Sequence, residues 1–178
     1  GDFAAYRADT GEQLWLTSAQ TGIVASPVTY EIDGEQYVTV LAGWGGSLAL
    51  SGGDLAAAAG QTNVSRILTY KLGATGTLPE FIPAVLTLNP PVRVDDPEAI
   101  ALGKQRYSDR CMMCHGDSVV GGGVIPDLRY MDAEKHQMWM GIVLGGLHRD
   151  KGMVSFAEVL TPAEAEAIQA FVIERAND

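Results

Sequence analysis

Alternating apolar and polar positions predict β-strands in the first half of the chain. Residues 28–32 and 35–42 are rich in β-branched and aromatic side chains, and Asp33-Gly34 lies between them. An Asp-Gly pair between two such runs is a strong signal for a β-hairpin. Residues 65–72 predict a further strand, whereas residues 51–63, rich in Gly and Ala, predict an irregular surface loop. The first half is therefore predicted to be all β.

Helix signals mark the second half of the chain. One helix is predicted to begin at Asp96-Pro97-Glu98, which supplies a cap, a proline at the first position and an acid in the first turn. A last helix is predicted to begin at Thr161-Pro162 for similar reasons, and residues 133–144 form a helix-like run between the two. Helical spacing places several residues on one face of each end helix, namely Gly103, Tyr107 and Cys111 on the first and Ile168, Phe171 and Val172 on the last.

Proline-rich sequence separates the two halves. Residues 77–95 contain four of the eight prolines, which favours an extended, semi-rigid chain. We therefore predict a multi-domain organisation with an all-β segment at residues 1–76, a linker at 77–95 and an all-α domain at 96–178. Three or four strands need a partner to bury a face, so the β segment is expected to be part of a larger structure.

The strongest chemical signal is Cys111-Met112-Met113-Cys114-His115. This C-x-x-C-H box is the attachment signature of a c-type haem. The two thiols form thioethers to one porphyrin, and the adjacent His supplies an axial nitrogen to the iron. The box also fits a C-x-x-C redox pair or half of a zinc site. Downstream, a glycine-rich loop ends at Pro126, whose carbonyl is placed to accept the Nδ1 proton of His115 and to orient the ring.

The sixth ligand of such an iron should be a thioether or a second His. The candidates after the box are Met131, His136, Met138, Met140, His148 and Met153. Met138 and Met140 lie in the helix-like run, where Met more often fills a core. Met153 lies in a glycine-flanked loop before the last helix, and loops commonly present ligands. We therefore expect Met153 to be the ligand, and His136 and His148 to be solvated surface residues.

Composition and charge exclude several classes of function. Apolar residues make up 47% of the chain, which supports globular folding, and the net charge is −10. Residues 1–90 carry three bases and eight acids, and residues 91–178 carry nine bases and fourteen acids. This even acidity argues against nucleic-acid binding, which needs a basic face. No apolar run approaches the length of a membrane span, and no secretory signal is visible after Gly1.

The region from about residue 97 to 178 resembles a class I cytochrome c domain. That family packs a Gly/aromatic pair on its first helix against an apolar/aromatic pair on its last, and it has a Pro-x-Leu after the haem box. The matching residues are Gly103 and Tyr107 on the first helix, Ile168 and Phe171 on the last, and Pro126 and Leu128 after the box. The family's axial Met occupies the place of Met153.

The cytochrome resemblance implies a role for each site residue. Cys111 and Cys114 would bind one haem c covalently, so no disulfide is expected. His115 and Met153 would be the axial ligands, leaving no open coordination site for substrate chemistry. Arg129 would pair with a haem propionate, with a surface salt bridge as the alternative.

Residues 5–15 resemble the tryptophan-docking repeat of pyrroloquinoline-quinone (PQQ) dehydrogenases, whose eight-bladed β-propellers carry the pattern A-x-D/N-x-x-T-G-x-x-x-W. Ala5, Thr10, Gly11 and Trp15 match the repeat, and Arg7 departs from it. The Thr-Gly pair suits a tight turn, and the Trp would pack between blades; a generic hairpin with a buried Trp is the alternative. The order of strands, linker and cytochrome domain resembles the C-terminal end of a quinohaemoprotein alcohol dehydrogenase.

This second resemblance implies a periplasmic enzyme whose PQQ, polarised by Ca²⁺, oxidises an alcohol. Electrons would pass to the haem and then to a soluble acceptor, such as a copper protein or another cytochrome. No catalytic residue is expected in this chain, because the base and the Ca²⁺ ligands match nothing here and would lie upstream. Trp44 and Gly45 would line the PQQ pocket, with blade packing as the alternative for Trp44. The competing hypothesis is a stand-alone c-type electron carrier with a β docking segment.

Overall fold

A computed structural model describes residues 1–58, 60 and 62–178, which divide into two compact units. The first unit comprises residues 1–49 and 55–84, and the second comprises residues 50–54 and 85–178. The later boundary falls between Ala84 and Val85, inside the segment predicted as a linker, which contains no helix or strand.

The first unit contains two antiparallel β-sheets. One is the hairpin of strands β1 and β2, and the other has three strands in the order β3-β4-β5. The strands are β1 (Asp2–Tyr6), β2 (Gln13–Ser18), β3 (Val28–Ile32), β4 (Glu35–Ala42) and β5 (Arg66–Lys71). The register pairs Tyr30 with Tyr37 across the predicted Asp33-Gly34 turn. The sheet content of the first half is therefore as the sequence predicted.

The β1–β2 hairpin has the turn that the repeat pattern predicted. Gly11 has a φ of +73°, and its N–H donates to the carbonyl of Arg7 at 3.0 Å. On β2, the Trp15 ring lies 5.6 Å from the Phe3 ring and 4.9 Å from the ring of Tyr70 on β5, measured between centroids. Trp15 therefore packs between the two sheets of this unit.

This unit buries little of its apolar surface. Its core is small and consists of Ala19, Val40, Ala42 and Leu68. Leu41 and Ile67 face each other across the β4–β5 pair, yet they remain 55% and 74% exposed. Further exposed apolar side chains on the strands are Leu14, Leu16, Val28 and Ile32. Large exposed apolar patches are typical of surfaces that contact another part of a structure.

The prediction of an irregular loop at residues 51–63 is wrong for its first part. Two short helices are present, α1 (Gly46–Ser51) and α2 (Gly53–Ala58). Ala and Leu favour helix, and this preference outweighs the glycines that suggested a loop. Gly52 and Gly53 are buried rather than at the surface. Residues 59 and 61 of the predicted loop lie outside the described residues.

The second unit is helical. Its helices are α3 (Pro97–Arg110), α4 (Met112–His115), α5 (Ala133–Gln137), α6 (Trp139–Val143) and α7 (Pro162–Asn177), joined in part by short 3₁₀ turns. The predicted caps are present, because the Asp96 side chain accepts from the Ala99 N–H at 3.0 Å and Thr161 forms a reciprocal capping box with Glu164. In the described part of the chain, no helix is long and apolar enough to cross a membrane.

Helices α3 and α7 cross at Gly103. A Cβ at this position would lie 1.9 Å from the carbonyl oxygen of Ala167, so only glycine permits the contact. One turn later, the Tyr107 ring packs against the Phe171 ring at 5.5 Å, and Ile168 is buried beside them. The predicted packing of the first helix on the last is confirmed.

Gly103→Ala is expected to destabilise the protein by about 3 kcal/mol, because the added methyl group collides with backbone that cannot move away by rotation. Urea unfolding of the haem-containing protein would measure the loss. Gly141→Ala in α6 is the matched control, since a Cβ there meets nothing within 4 Å. The control should lie within about 1 kcal/mol of the parent protein. Equal stability of the two variants would contradict the helix crossing.

Candidate haem-binding site

The C-x-x-C-H box forms one helical turn at the end of α3. The N–H of Cys114 and the N–H of His115 both donate to the carbonyl of Cys111, at 3.1 and 2.9 Å. Both thiols are free, with Cys111 half-buried and Cys114 exposed. The turn presents two thiols and an imidazole from five consecutive residues, which is the donor set that covalent haem attachment needs.

The environment of the thiols disfavours the two alternative interpretations of the box. Burial, and secondarily the nearby Cys114, raises the pKa of Cys111 to about 12. Redox-active C-x-x-C pairs instead have a thiol with a lowered pKa, because the thiolate is the reactive form. A zinc site needs four ligands, and the described residues contain no group of three or more Cys, His, Asp or Glu side chains that could hold a metal ion.

His115 is held in the orientation and protonation state of an iron ligand. Its ring is 8% exposed, and Nδ1 lies 3.1 Å from the carbonyl oxygen of Pro126, so Nδ1 carries the proton and Nε2 is available to a metal. Burial lowers the pKa of His115, against the opposing effects of the Pro126 hydrogen bond and the Asp127 charge. The neutral imidazole is the ligand form. The predicted bond to Pro126 is confirmed.

Three of the predicted site residues pack against one hydrophobic core. Cys111, Leu128 and Met153 all pack against the core that contains Tyr107 and Phe171. Met153 is half-buried and follows Gly152, which ends a 3₁₀ turn in the left-handed conformation with a φ of +91°. Its N–H donates to the carbonyl of His148 at 3.1 Å. One thiol of the box, the Met153 thioether and the Leu128 side chain therefore share one apolar core, which fits a covalent haem beside it.

The prediction that His136 is a solvated surface residue is wrong. His136 is 8% exposed, and its ring stacks on that of Trp139 with 6.4 Å between centroids. Gln169 of α7 covers it by donating to the His136 carbonyl at 2.7 Å. The sequence could not indicate this, because the covering residue lies 33 positions away. His148 is half-buried.

The other methionine candidates differ in burial. Met131 belongs to the core, Met140 packs against it, and Met138 lies between α5 and α6 with about a third of its surface exposed. Met140 packs against the core as expected. The expectation that Met138 fills the core is wrong, because Met138 lies at the break between α5 and α6 and is 36% exposed.

Arg129 forms a bidentate ion pair with Asp127. Its Nε and Nη2 donate to the two carboxylate oxygens at 3.0 and 2.7 Å. This pair, more than any other cause, raises the pKa of Arg129. The salt-bridge alternative is thus present in the structure, and the interaction of Arg129 with a haem propionate stays a prediction.

Trp44 and Gly45 lie in the first unit. Trp44 is 8% exposed and packs against Gly22, where a Cβ would approach the indole to 3.1 Å. The backbone N–H of Trp44 donates to Oδ1 of Asn63 at 3.1 Å. These contacts are those of a packed side chain, and the role of both residues in a quinone pocket stays a prediction.

Two contributors to the site were missed by the sequence reasoning. The Tyr107 hydroxyl donates to the carbonyl of Gly116 at 2.7 Å and so holds the residue after His115. The Asp127 carboxylate also accepts from the N–H of Gly121 at 3.1 Å, which closes the loop between the box and Pro126. A tyrosine four residues before the box and an acid beside Pro126 were the available signals.

Comparison with known protein families shows which kind of domain this site resembles. Residues 98–172 match the family model of cytochrome c oxidase, cbb3-type, subunit III. This match, together with the C-x-x-C-H turn and the α3–α7 crossing, agrees with the predicted cytochrome c domain.

The whole chain resembles a part of larger enzymes. It is 47% identical over 178 residues to quinohemoprotein alcohol dehydrogenase ADH-IIG of Pseudomonas putida, and 39% identical over 181 residues to the dehydrogenase subunit of alcohol dehydrogenase (quinone) of Acetobacter aceti. It spans about a quarter of the length of each, 25% and 24%. The predicted resemblance to the cytochrome part of a quinohaemoprotein alcohol dehydrogenase is confirmed.

Solved structures agree with the sequence comparison. The chain superposes on the ADHIIG structure from Pseudomonas putida HK5 with a TM-score of 0.88, covering 99% of this chain and 26% of that one. Against the quinohemoprotein alcohol dehydrogenase of Comamonas testosteroni, the TM-score is 0.70 at 31% identity, covering 99% of this chain and 25% of that one. The fold of both halves is therefore shared with these enzymes.

Met153→Ala is expected to remove the absorption band near the red edge of the oxidised spectrum that reports sulfur bound to ferric haem. If Met153 is the ligand, its loss would deprive the iron of a soft neutral donor and lower the reduction potential. Met138→Ala is the matched control, because Met138 is exposed and outside the core. The band should persist in the Met138 variant, and its persistence in the Met153 variant would contradict the assignment.

The stability of the protein is expected to fall as the pH drops below about 6.5, the ordinary pKa of histidine. Burial lowers the pKa of His136 in the folded state, with Asp132 opposing, so the unfolded chain binds more protons in this range and is favoured by acid. His136→Gln should reduce the pH slope of the unfolding free energy by at most about 1.4 kcal/mol per pH unit. Urea unfolding between pH 5 and pH 8 measures the slope, and identical slopes in both proteins would contradict the buried environment.

Proposed function

We propose that this chain is the electron-transfer portion of a periplasmic quinohaemoprotein alcohol dehydrogenase. The observation that carries the proposal is the C-x-x-C-H turn, with His115 oriented by Pro126, in a chain that is similar over its full length to such enzymes. The periplasmic location follows from the attachment of c-type haem outside the bacterial cytoplasm.

Each site residue has a definite task in this proposal. Cys111 and Cys114 would hold the haem through thioether bonds, and His115 Nε2 and Met153 Sδ would supply ligands to its iron. When bound, the haem supplies a one-electron carrier with no open coordination position. Pro126 fixes the imidazole ring, and Leu128 with the adjoining core keeps water away from the site.

Arg129 is proposed to face a haem propionate. Its guanidinium suits a carboxylate partner because it is planar and permanently charged. The existing pair with Asp127 holds the side chain in place with only 23% of it exposed, so little further conformational freedom would be lost.

The first unit is proposed to be the C-terminal end of an eight-bladed propeller, with the domain bounds at residues 1–76, 77–95 and 96–178. Two features support this interpretation. Trp15 packs between two sheets in the manner expected of the docking repeat, and apolar side chains such as Leu41 and Ile67 remain exposed on the strands. Neighbouring blades would bury these side chains.

PQQ and Ca²⁺ are proposed as cofactors of the whole enzyme. The described residues contain no cluster of acidic or histidine side chains suited to a metal ion, and the catalytic base and the Ca²⁺ ligands are assigned to other parts of the enzyme. Trp44 and Gly45 are proposed to contribute at most one wall of the PQQ pocket. The electron acceptor is proposed to be a soluble copper protein or cytochrome.

Addition of a primary alcohol to the oxidised native protein is expected to reduce the haem, which visible absorption would follow. A tertiary alcohol is the control, because it has no hydrogen on the carbinol carbon and cannot form a carbonyl product. The mass of the denatured protein should exceed this chain plus one haem several-fold. A mass equal to the chain plus one haem, with no reduction by primary or secondary alcohols, would overturn the proposal in favour of a stand-alone electron carrier.

A further inference from the structure

Residues 50–54 lie between β4 and β5 in the sequence, yet they belong to the second unit. We call this stretch the glycine segment, because Gly52 and Gly53 are both buried within it. A Cβ at Gly53 would lie 2.1 Å from the carbonyl oxygen of Val120 and 2.6 Å from that of Gly121. The contact is backbone against backbone, and no side chain can replace the hydrogen of Gly53 without moving the loop.

The Val120 carbonyl also contacts the residue that follows the haem box. Gly116 follows His115 and has a φ of +87°, and a Cβ there would lie 1.9 Å from the same Val120 carbonyl oxygen. The Tyr107 hydroxyl holds the Gly116 carbonyl at 2.7 Å. The Val120 carbonyl oxygen is therefore in close contact both with Gly53 and with the residue after His115.

The next residue of the loop connects to the partner of His115. The N–H of Gly121 donates to Oδ2 of Asp127 at 3.1 Å, and a Cβ on Gly121 would lie 2.9 Å from Cα of Asp127. Asp127 directly follows Pro126, whose carbonyl accepts from His115 Nδ1 at 3.1 Å. Displacement of Val120 and Gly121 would therefore move the acceptor of the His115 proton.

The glycine segment also interacts electrostatically with Arg129. Its last residue, Asp54, is close enough to Arg129 to contribute to the raised pKa of that guanidinium, although the Asp127 pair contributes more. This contribution agrees with the contacts of Gly53 in placing the segment beside the 120–129 loop.

We propose that the glycine segment is a positioning element for the axial histidine: Gly53 presses the Val120–Gly121 backbone against Gly116 and Asp127, and so keeps the Pro126 carbonyl on His115 Nδ1. The inference rests on the proposed role of His115 as a haem ligand. A strong bond at Nδ1 makes the imidazole a more basic ligand, which stabilises ferric iron. The segment thereby lowers the reduction potential of the haem.

Gly53→Ala in the full-length, haem-containing protein is the direct test. The variant is expected to raise the equilibrium constant for haem reduction about tenfold, which is about 59 mV for a one-electron couple. Redox titration measures the shift, and proton NMR of the reduced protein follows the His115 Nδ1–H signal, which should move upfield as its hydrogen bond weakens. Gly76→Ala is the matched control, because a Cβ at Gly76 meets nothing within 4 Å.

Asp127→Asn tests the same connection if Gly53→Ala yields too little folded protein. It weakens the link from Gly121 to Pro126 and should move both the potential and the Nδ1–H signal. Asp117→Asn is its control for charge, since Asp117 is exposed and its carboxylate accepts from the N–H of the adjacent Ser118. An Nδ1–H signal that stays at the control position in Gly53→Ala, or in Asp127→Asn where that variant replaces it, would overturn the inference. The spectrum of the parent protein separately reports whether His115 binds haem at all.

Discussion

The contact of α3 with α7 at Gly103 is the constraint on which the second unit depends. Helix α3 carries Tyr107 and ends at Arg110, directly before Cys111, so the position of the haem box is set by where α3 lies on α7. A backbone approach this close leaves no room for any side chain. It allows Tyr107 to pack on Phe171 and, from the same position, to hold the Gly116 carbonyl. One glycine thus places both the core and the chain that follows His115.

The same kind of close backbone contact recurs around His115, outside the two long helices. The loop from Gly116 to Pro126 is held by close backbone contacts at Gly53, Gly116 and Gly121 and by the Asp127 carboxylate. Backbone contacts hold a carbonyl more rigidly than a flexible side chain would, because they involve few rotatable bonds. The Pro126 carbonyl is accordingly presented to Nδ1 without any side-chain acceptor. Orientation of a ligand by its neighbours is a general feature of metal sites.

The first unit differs in what holds it together. In the described part of the chain, its core is formed by four buried residues, two of which are alanines. Apolar side chains on β2, β3, β4 and β5 stay exposed. A sheet gains most of its stability by burying one face, so these strands are suited to packing against further strands. The chain spans about a quarter of the length of the relatives it matches, which agrees with the proposal that further strands cover this surface.

The sequence by itself determined the local features, because each depends on residues near one another. The hairpin at Asp33-Gly34, the caps at Asp96 and Thr161 and the C-x-x-C-H turn all follow from short spacings. The bond from His115 to Pro126 was also predictable, since the partners are only eleven positions apart. Tertiary structure alone decided that Gly53 contacts Val120 in the loop after the haem box, and that Gln169 covers His136. These contacts join residues 67 and 33 positions apart. No periodicity or spacing along the chain encodes such a meeting, since it depends on how the completed helices pack.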